Sequence, residues 1–297
     1  MMPVSKRTLV LLIVLFASMF SLNFASHVQD LPAGTHGLLS GKQGEVLVFT
    51  LPITGEPDRV TGHLLKREIL FFPIGDEKYA GLLGLDMQDQ PGQHELEVQV
   101  QYPNRTERHK VTVLLMKEDF KVQHLKLPKN MVDLDKKTLA RVKHESKVLH
   151  RSFESLLPNP LWNSEFIEPV KGRISGRFGS RRIINGKPKR PHSGEDIAAP
   201  TGTTVVAINS GMVRLTIDHF FTGKGVILDH GLGLFSMYFH LSVVDVMQGQ
   251  IVEKGQPIGK VGATGRATGP HLHWGVRLNG SRINPYSLLK VSVNSTS

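Results

Sequence analysis

The chain has 297 residues, of which 40% are hydrophobic and 21% charged, so it is long enough for one large domain or two ordinary ones. Its 36 Lys and Arg outnumber its 26 Asp and Glu, which gives a net charge of +10. The composition is not that of a disordered, collagen-like or polytopic membrane protein. No cysteine occurs, which excludes disulfides, thiolate metal sites and a cysteine nucleophile. Any metal must therefore bind His, Asp or Glu, and 14 His are present.

The N-terminus has the pattern of an export segment. Lys6 and Arg7 precede an apolar run over residues 9–24. This run is slightly long for a cleaved signal and slightly short for a comfortable membrane span. We therefore predict that residues 1–26 are a signal peptide or an uncleaved N-terminal anchor, and that the protein is exported.

Residues 27–118 are rich in predicted strands. Residues 45–51 and 95–102 alternate between apolar and polar side chains, and residues 110–116 follow the second run after a Pro-Asn turn. This pattern predicts a small β-sandwich-like accessory domain with an antiparallel hairpin. No cluster of catalytic residue types occurs there, so a binding, spacing or inhibitory module is expected.

Residues 119–165 are predicted to be a helical connector. Asp133 or Asp135 is the expected N-cap, and the helix is expected to end near Pro158 and Pro160. Apolar residues recur at helical spacing, namely Leu139, Val142, Leu149, Phe153 and Leu156.

Residues 166–290 are rich in glycine, with turn signals every eight to twelve residues, and residues 291–297 form a polar tail predicted to be flexible. This spacing predicts a second, antiparallel β domain and a mainly β protein. Residues 171–190 hold eight Lys or Arg and no acid. Outside the cytoplasm, such a patch favours an anionic envelope polymer or lipid headgroups over nucleic acid. The alternative is a solvated basic loop with no partner.

The strongest local pattern is HLHWGVRL at residues 271–278. In a strand, alternate side chains share a face, so Leu272 and Trp274 should face the core while His271 and His273 project together from the other side. Two imidazoles on one open face can bind one ion or one substrate group.

A second predicted strand, residues 235–241, also alternates in polarity. Its apolar odd-numbered residues would face one side, so Tyr238 and His240 are expected to face a cleft on the other. The alternatives are an ordinary half-buried histidine at 240 and, for Tyr238, a ring packed at the cleft rim.

His192 and Asp196 are four residues apart, where Gly194 and Pro200 indicate a turn that leads into a strand. Because four is even, both side chains share a face and offer one nitrogen and one carboxylate ligand. With a third ligand from a distant strand, they would make a three-ligand zinc site with an open position, which is the pattern of catalytic zinc. Glu195 should point away from Asp196 and is expected at the surface.

Taken together, these motifs resemble the lysostaphin/LytM-type zinc metallopeptidases. The resemblance covers residues 166–288 and rests on GRFG at 176–179, HSGED at 192–196, YFH at 238–240 and GPHLH at 269–273. Further agreement lies in APTGT at 199–203, DHG at 229–231, KGQPIG at 254–259 and GATG at 262–265.

The resemblance implies that one zinc ion per chain is bound by His192, Asp196 and His273, with His240 and His271 as the catalytic imidazoles. It implies an exported endopeptidase that hydrolyses peptide cross-links of peptidoglycan during cell-wall remodelling. Residues 166–290 would be its zinc peptidase domain, in the periplasm or cell envelope. Some family members have lost ligands and only activate other wall hydrolases, but every ligand is present here.

The chemistry of such a site can be stated from general principles. Zinc lowers the pKa of its bound water from about 15.7 to about 7 and polarises the scissile carbonyl. No glutamate stands where a general base is needed, so proton transfer is expected to fall to His240 or His271. Either can accept the water proton or donate a hydrogen bond to the oxyanion.

Two other functions compete with this reading. The main alternative is a non-catalytic envelope factor that recruits or activates another cell-wall hydrolase. A carrier domain is the third, because residues 254–259 are similar to the hairpins of lipoyl- and biotin-bearing barrels. That hairpin lacks the Met-Lys-Met sequence common in such carriers.

Two other histidines are not expected to bind metal. His144 precedes Glu145 as in helical zinc motifs, but Val148 stands where the second histidine is needed. His144 and Glu145 are therefore predicted to face solvent. His230 precedes a glycine turn where the family often has a histidine that is not a ligand, so a structural hydrogen bond is expected.

Overall fold

The computed structural model describes residues 29–30, 38–75, 77–154 and 157–292. Strands dominate these residues, which confirms the mainly β fold class. The predicted export segment at residues 1–26 and residues 293–297 of the predicted tail lie outside them. In the part of the chain that is described, no helix is long and apolar enough to cross a membrane.

The first sheet contains eight strands, in the order β1-β3-β6-β5-β4-β7-β8-β2. Its strands are β1 (Gln29–Asp30), β2 (Leu38–Lys42), β3 (Val46–Pro52), β4 (Arg59–Leu64), β5 (Arg67–Pro73), β6 (Lys78–Gly84), β7 (Gly92–Tyr102) and β8 (Arg105–Met116). The predicted hairpin is β7–β8, where Tyr102 lies opposite Arg105 at the turn.

Buried side chains from both halves of the first sheet form one core. Phe49 of β3 and Leu83 of β6 belong to the same cluster as Val98 of β7 and Val113 of β8. Strands that are far apart in the hydrogen-bonding order therefore meet, so the sheet is curled around its core. The sandwich-like domain over residues 27–118 and the other domain boundaries stay predictions.

The segment between the two large sheets is partly strand and partly helix. It contains β9 (Val122–Leu125), a 3-10 turn (Lys129–Met131) and helix α1 (Lys136–Arg151). Asp135 accepts a hydrogen bond from Thr138 N at 2.7 Å, so Asp135 is the N-cap of α1.

Two predictions about α1 are wrong. The helix ends at Arg151, well before Pro158, and Phe153 packs edge-on against Phe235 from outside the helix. Glu145 does not face solvent, because its side chain is 12% exposed and its carboxylate accepts a hydrogen bond from Phe220 N at 2.9 Å. Helix α1 thus packs against the second large sheet, and Glu145 satisfies a backbone donor there.

The second large sheet has ten strands, with the main order β10-β13-β20-β17-β16-β15-β18. Its strands are β10 (Arg173–Gly176), β13 (Gly194–Ala198), β14 (Thr204–Val206), β15 (Gly211–His219), β16 (Gly223–Asp229), β17 (Leu234–Val244), β18 (Ile251–Val252), β19 (Pro257–Val261), β20 (His271–Leu278) and β21 (Ser281–Ile283). Helix α2 (Pro285–Leu288) follows. A small third sheet has the order β12-β11-β9, with β11 (Arg181–Ile184) and β12 (Lys187–Pro188).

The alternation predicted for β20 is confirmed. Leu272, Trp274, Val276 and Leu278 are all 0% exposed and belong to the main core. That core extends to the first sheet, because Val46 and Leu82 are part of it. The two large sheets therefore share buried apolar surface.

Polar contacts reinforce this junction. Arg282 of β21 donates through Nη2 to Asp86 Oδ1 at 2.6 Å and through Nε to Asp86 Oδ2 at 3.0 Å. Burial alone would raise the pKa of Asp86, but the hydrogen bonds from Arg282 and Gln88 lower it. Nearby, Ser281 Oγ donates to Gly84 O at 2.8 Å.

The structural role predicted for His230 is confirmed. Its imidazole is 0% exposed, with Nδ1 donating to Ser210 O at 2.7 Å and Nε2 accepting from Ser236 Oγ at 2.8 Å. Burial lowers the pKa of His230 from 6.5 to about 4. The ring is therefore neutral at neutral pH and joins two segments of the core.

The Asp86–Arg282 pair predicts a large effect on stability. Replacing Asp86 with Ala should lower the free energy of unfolding by about 3 kcal/mol, because a mostly buried guanidinium loses its partner. Glu107→Ala, which breaks the exposed pair with Arg105, should cost less than about 1 kcal/mol. Urea unfolding monitored by tryptophan fluorescence measures both. Equal losses in the two variants would contradict a stabilising role for the buried pair.

The lowered pKa of His230 predicts that the free energy of unfolding of the metal-free, chelator-treated protein depends on pH. The unfolded chain binds a proton near pH 6.5 and the folded chain only near pH 4, so stability should fall as the pH decreases between these values. The variant His230→Asn should be less stable at pH 7. As the pH decreases, however, its stability should fall less steeply than that of the wild type. The two slopes should differ by about 1.4 kcal/mol per pH unit, which corresponds to about one proton. Urea unfolding at pH 7, 6 and 5 tests this, and unchanged steepness would refute it.

Candidate functional site

Two neighbouring strands bring three side chains with metal-binding atoms together. Strands β13 and β20 are antiparallel with Asp196 directly opposite His273, and His192 lies just before β13. Asp196 Oδ1 is 2.8 Å from His273 Nδ1 and 2.9 Å from His192 Nε2. The two imidazole nitrogens are 3.0 Å apart, so all three atoms converge on one place.

This donor set fits a zinc ion. Zinc binds imidazole nitrogen and carboxylate oxygen at about 2.0–2.2 Å in a tetrahedron, whose ligand atoms are then about 3.3 Å apart. The separations of 2.8–3.0 Å found here are close to that value. Three protein ligands leave one coordination position open. Among the described residues, no other group of His, Asp or Glu side chains is close enough to hold an ion.

Two glycines allow the backbone to approach the ligands. A Cβ atom at Gly176 would lie 2.4 Å from Asp196 Oδ2, and one at Gly194 would lie 2.9 Å from His273 Nε2. Because real Cβ atoms do not come so close, any side chain at either position would displace a ligand. The glycines of the GRFG and HSGED motifs thus have a packing role at this site.

The ligand orientations are fixed by further hydrogen bonds. His192 Nδ1 donates to Arg177 O at 3.0 Å, which leaves the lone pair on Nε2, towards Asp196 and His273. Arg182 Nη2 donates to the other oxygen of Asp196, Oδ2, at 2.7 Å. Such contacts behind the ligands restrict how far each donor can rotate.

The electrostatics favour the protonation states that metal binding requires. Burial lowers the pKa of His192 to about 4, so this ring is neutral at neutral pH. Burial alone would raise the pKa of Asp196, but hydrogen bonds with His192 and His273 bring it well below its ordinary value. A neutral imidazole and an ionised carboxylate can both bind metal directly.

Two more imidazoles lie beside these donors. The ring centroids of His240 and His271 are 4.7 Å apart. His271 Nε2 lies 3.8 Å from Asp196 Oδ1, and the His240 ring lies 6.1 Å from the His273 ring. The structure therefore brings together all five side chains that the sequence singles out.

Both additional imidazoles have a defined tautomer. His240 Nδ1 contacts Thr264 O at 2.8 Å, and His271 Nδ1 contacts Gly269 O at 2.8 Å. A carbonyl oxygen can only accept a hydrogen bond, so each ring carries its proton on Nδ1 and keeps Nε2 as an acceptor. Burial, with repulsion from the neighbouring imidazoles when charged, lowers the pKa of His240 to about 3.

The faces predicted for β17 are wrong. Tyr238 is 0% exposed and its hydroxyl accepts a hydrogen bond from Ile208 N at 3.1 Å, so it lies neither in a cleft nor at its rim. Phe239 faces the site instead, with its ring stacked on His273 at 5.8 Å. His240 still reaches the site because its φ of 64° interrupts the alternation of the strand.

The surface position predicted for Glu195 is also wrong. Glu195 is 2% exposed, because the side of β13 opposite Asp196 is covered by the segment around Phe178. Its Oε1 accepts a hydrogen bond from Phe178 N at 3.1 Å, while Oε2 is buried and has no hydrogen-bond partner among the described residues. Burial raises the pKa of Glu195 to about 7.

Sequence reasoning does not identify the role of three groups that contact the site, although Thr264 and Gly269 belong to the loop that precedes the HLH motif. Arg182 is one of eight basic residues in its segment, and nothing in the sequence separates it from the others. Thr264 and Gly269 contribute backbone carbonyls, which every residue has. Only the pairing of distant segments in the folded chain selects them.

Comparisons with known proteins agree with this geometry. Residues 190–285, which include all five side chains, match the sequence profile of peptidase family M23. The peptidoglycan DD-endopeptidase ShyA of Vibrio cholerae is 43% identical over 115 residues, which are 38% of this chain and 27% of that protein. The DD-carboxypeptidase/endopeptidase Mpg of Neisseria meningitidis is 43% identical over 123 residues, which are 41% of this chain and 28% of that protein. The match thus spans little more than a quarter of these curated relatives.

A solved structure extends the similarity beyond the site. It is a crystal structure of a Pseudomonas aeruginosa protein assigned to peptidase M23, with a TM-score of 0.66 and 32% sequence identity. The alignment covers 84% of this chain and 94% of that one. The chain therefore belongs to peptidase family M23.

Proposed function

We propose that this protein is an exported zinc-dependent endopeptidase that hydrolyses peptide cross-links of bacterial peptidoglycan. The observation that carries the proposal is the convergence of Asp196 Oδ1, His192 Nε2 and His273 Nδ1 within 3.0 Å of one another, beside two imidazoles that carry their protons on Nδ1. Family membership and the names of the relatives ShyA and Mpg support this substrate.

In this proposal, His192, Asp196 and His273 hold the metal. Zinc suits the site because it accepts imidazole and carboxylate ligands in a three-ligand site with an open position. When bound, it would supply a Lewis acid that polarises the scissile carbonyl and makes water a nucleophile at neutral pH. Arg182 and Arg177 O keep two of the ligands in place during that chemistry.

His240 and His271 are the proposed catalytic imidazoles. Since both hold Nδ1–H against backbone carbonyls, both present Nε2 to the reacting groups. A neutral Nε2 can accept the proton of the attacking water, and a protonated one can donate a hydrogen bond to the developing oxyanion. The Thr264 and Gly269 carbonyls prevent the rings from flipping during proton transfer.

The surroundings of the site suit an anionic substrate. The parallel pairing of β9 with β11 places a second basic segment beside residues 171–190. Lys126, Lys189 and Arg190 are exposed and form no ion pair within the described ranges. Peptidoglycan peptides carry free carboxylates, so a basic surface around the small sheet that carries Arg182 would raise their local concentration.

Export is part of the same proposal. Residues 1–26 combine a basic start with an apolar run, as export segments do. An envelope location would bring the enzyme to its substrate, whether the segment is cleaved or kept as an anchor. The intact ligand set favours an enzyme over a non-catalytic activator of another hydrolase.

The decisive experiment is digestion of purified sacculi by the zinc-loaded full chain, with the products identified by mass spectrometry. The full chain is needed because β9 contributes to the sheet that carries Arg182. Loss of cross-linked muropeptides with gain of uncross-linked ones supports an endopeptidase. Intact cross-links in both sacculi and isolated cross-linked muropeptides would refute it.

Substitution of the proposed residues gives the first prediction for activity. We expect His273→Ala to abolish cross-link cleavage and to lower zinc content, because one of three ligands is lost. His240→Ala and His271→Ala should retain zinc but lower kcat by about 100-fold or more, as loss of a general acid or base does. His144→Ala, on the exposed face of α1, is the control and should match the wild type. Full activity of His273→Ala would contradict the assignment.

The basic surface gives a second prediction. The triple variant Lys126→Glu, Lys189→Glu, Arg190→Glu should bind sacculi about tenfold more weakly at low salt, because long-range attraction is lost. The difference should disappear near 0.5 M salt, where the Debye length is only a few ångströms. A matched control, Arg105→Glu, Arg108→Glu, Lys110→Glu, changes the net charge equally on the β7–β8 hairpin. If the two triple variants bind sacculi equally in pelleting assays, Lys126, Lys189 and Arg190 have no specific role in substrate binding.

A further inference from the structure

Glu195 is buried in a way that calls for a physical explanation. It is 2% exposed, and only one of its two carboxylate oxygens has a hydrogen-bond partner within the described residues. A buried polar atom without a partner costs free energy, and native proteins contain few of them. An apolar side chain at this strand position would remove the unpaired oxygen but would leave the buried Phe178 N–H without its acceptor.

The hydrogen bond between Phe178 N and Glu195 Oε1 leads to the ligand set. Its length is 3.1 Å. The carbonyl of the same peptide group, Arg177 O, accepts from His192 Nδ1 at 3.0 Å. One rigid, planar peptide therefore connects the carboxylate of Glu195 to the imidazole of His192.

The carbonyl of this peptide also accepts a backbone hydrogen bond from Ser180 N at 3.3 Å, while Glu195 holds its N–H. Gly179 N donates to His192 O at 2.8 Å and His192 N donates to Ser180 O at 3.0 Å, so the two segments cannot separate. Rotation of the Arg177–Phe178 peptide plane would still move the carbonyl away from His192. The carboxylate opposes that rotation, and hydrogen bonds in a chain strengthen one another in a buried setting.

We propose that Glu195 is a positioning residue for His192: through the Arg177–Phe178 peptide it fixes the Nδ1–H tautomer and the ring orientation, so that Nε2 points to the metal. The inference rests on the proposed metal role of His192, Asp196 and His273. Metal-bound histidines usually donate their second N–H to a carboxylate or carbonyl, and these outer contacts tune affinity. Here a carboxylate acts on the histidine across one peptide group.

The test is the zinc dissociation constant of the purified full chain, measured by competition with a chromogenic chelator. Glu195→Met keeps the length of the side chain but has no carboxylate, and it should weaken zinc binding about 10- to 100-fold. Glu195→Asp keeps the charge but is too short to reach Phe178 N, and it should weaken binding similarly. Glu195→Gln keeps an acceptor at Oε1 and should stay within about threefold of the wild type.

A double-mutant cycle separates positioning from general stability. In a His192→Ala background there is no ring to position, so Glu195→Met should change the remaining zinc affinity by less than about twofold. Ile197→Val, on the same strand and 1% exposed, is the matched control. It should lower the melting temperature of metal-free protein but leave the zinc dissociation constant unchanged.

The outcomes are distinguishable. Tight zinc binding by Glu195→Met and Glu195→Asp, or equal weakening in Glu195→Gln and Glu195→Met, overturns the positioning role and leaves the proposed function intact. If His273→Ala binds zinc as tightly as the wild type, both the positioning role and the proposed function are overturned. If Glu195→Met does not fold, the comparison of Glu195→Asp with Glu195→Gln gives the same decision.

Discussion

The antiparallel register between β13 and β20 is the constraint on which the site depends. It places Asp196 opposite His273, so that Oδ1 and Nδ1 are 2.8 Å apart. The same register buries Leu272 and Trp274 on the other face of β20. A slip by one residue would turn those two side chains outwards and the histidines inwards. Burial of a Leu or a Trp is worth about 2 kcal/mol or more, so the hydrophobic core enforces the donor geometry.

The sequence predicts this part of the site well because its signals are local. In HLHWGVRL, period-two alternation over eight residues defines both faces of β20, and the structure has the same faces. The mainly β class follows from similar patterns elsewhere. The N-cap at Asp135 also depends on nearby residues, whereas the hydrogen-bonded role of His230 is implied by the resemblance and involves Ser210, 20 residues away.

The same reasoning fails where the backbone departs from a regular strand or where distant segments cover a surface. Alternation places Tyr238 and His240 on one face, but the left-handed conformation of His240 reverses the side on which it emerges. Glu195 does point away from Asp196, as expected, yet that side is not solvent, because Phe178 lies there. Composition and periodicity predict neither the positive φ of His240 nor the contact between Phe178 and Glu195.

The segment predicted to be a helical connector also contains a strand that contributes to the surroundings of the site. Residues 119–165 look like a spacer in the sequence, but β9 pairs in parallel with β11 from Arg181 to Ile184.

Gln123 of β9 accepts a hydrogen bond from Arg182 Nε at 3.3 Å, and the same guanidinium donates to Asp196. The connector thus belongs to the group of contacts that orients the carboxylate. Such contacts join segments about 60 residues apart in the sequence, and local sequence patterns do not encode them. Two sets of contacts therefore position the metal-binding side chains. The buried face of β20 fixes the register between β13 and β20, and Gln123 of the connector, through Arg182, orients the carboxylate of Asp196.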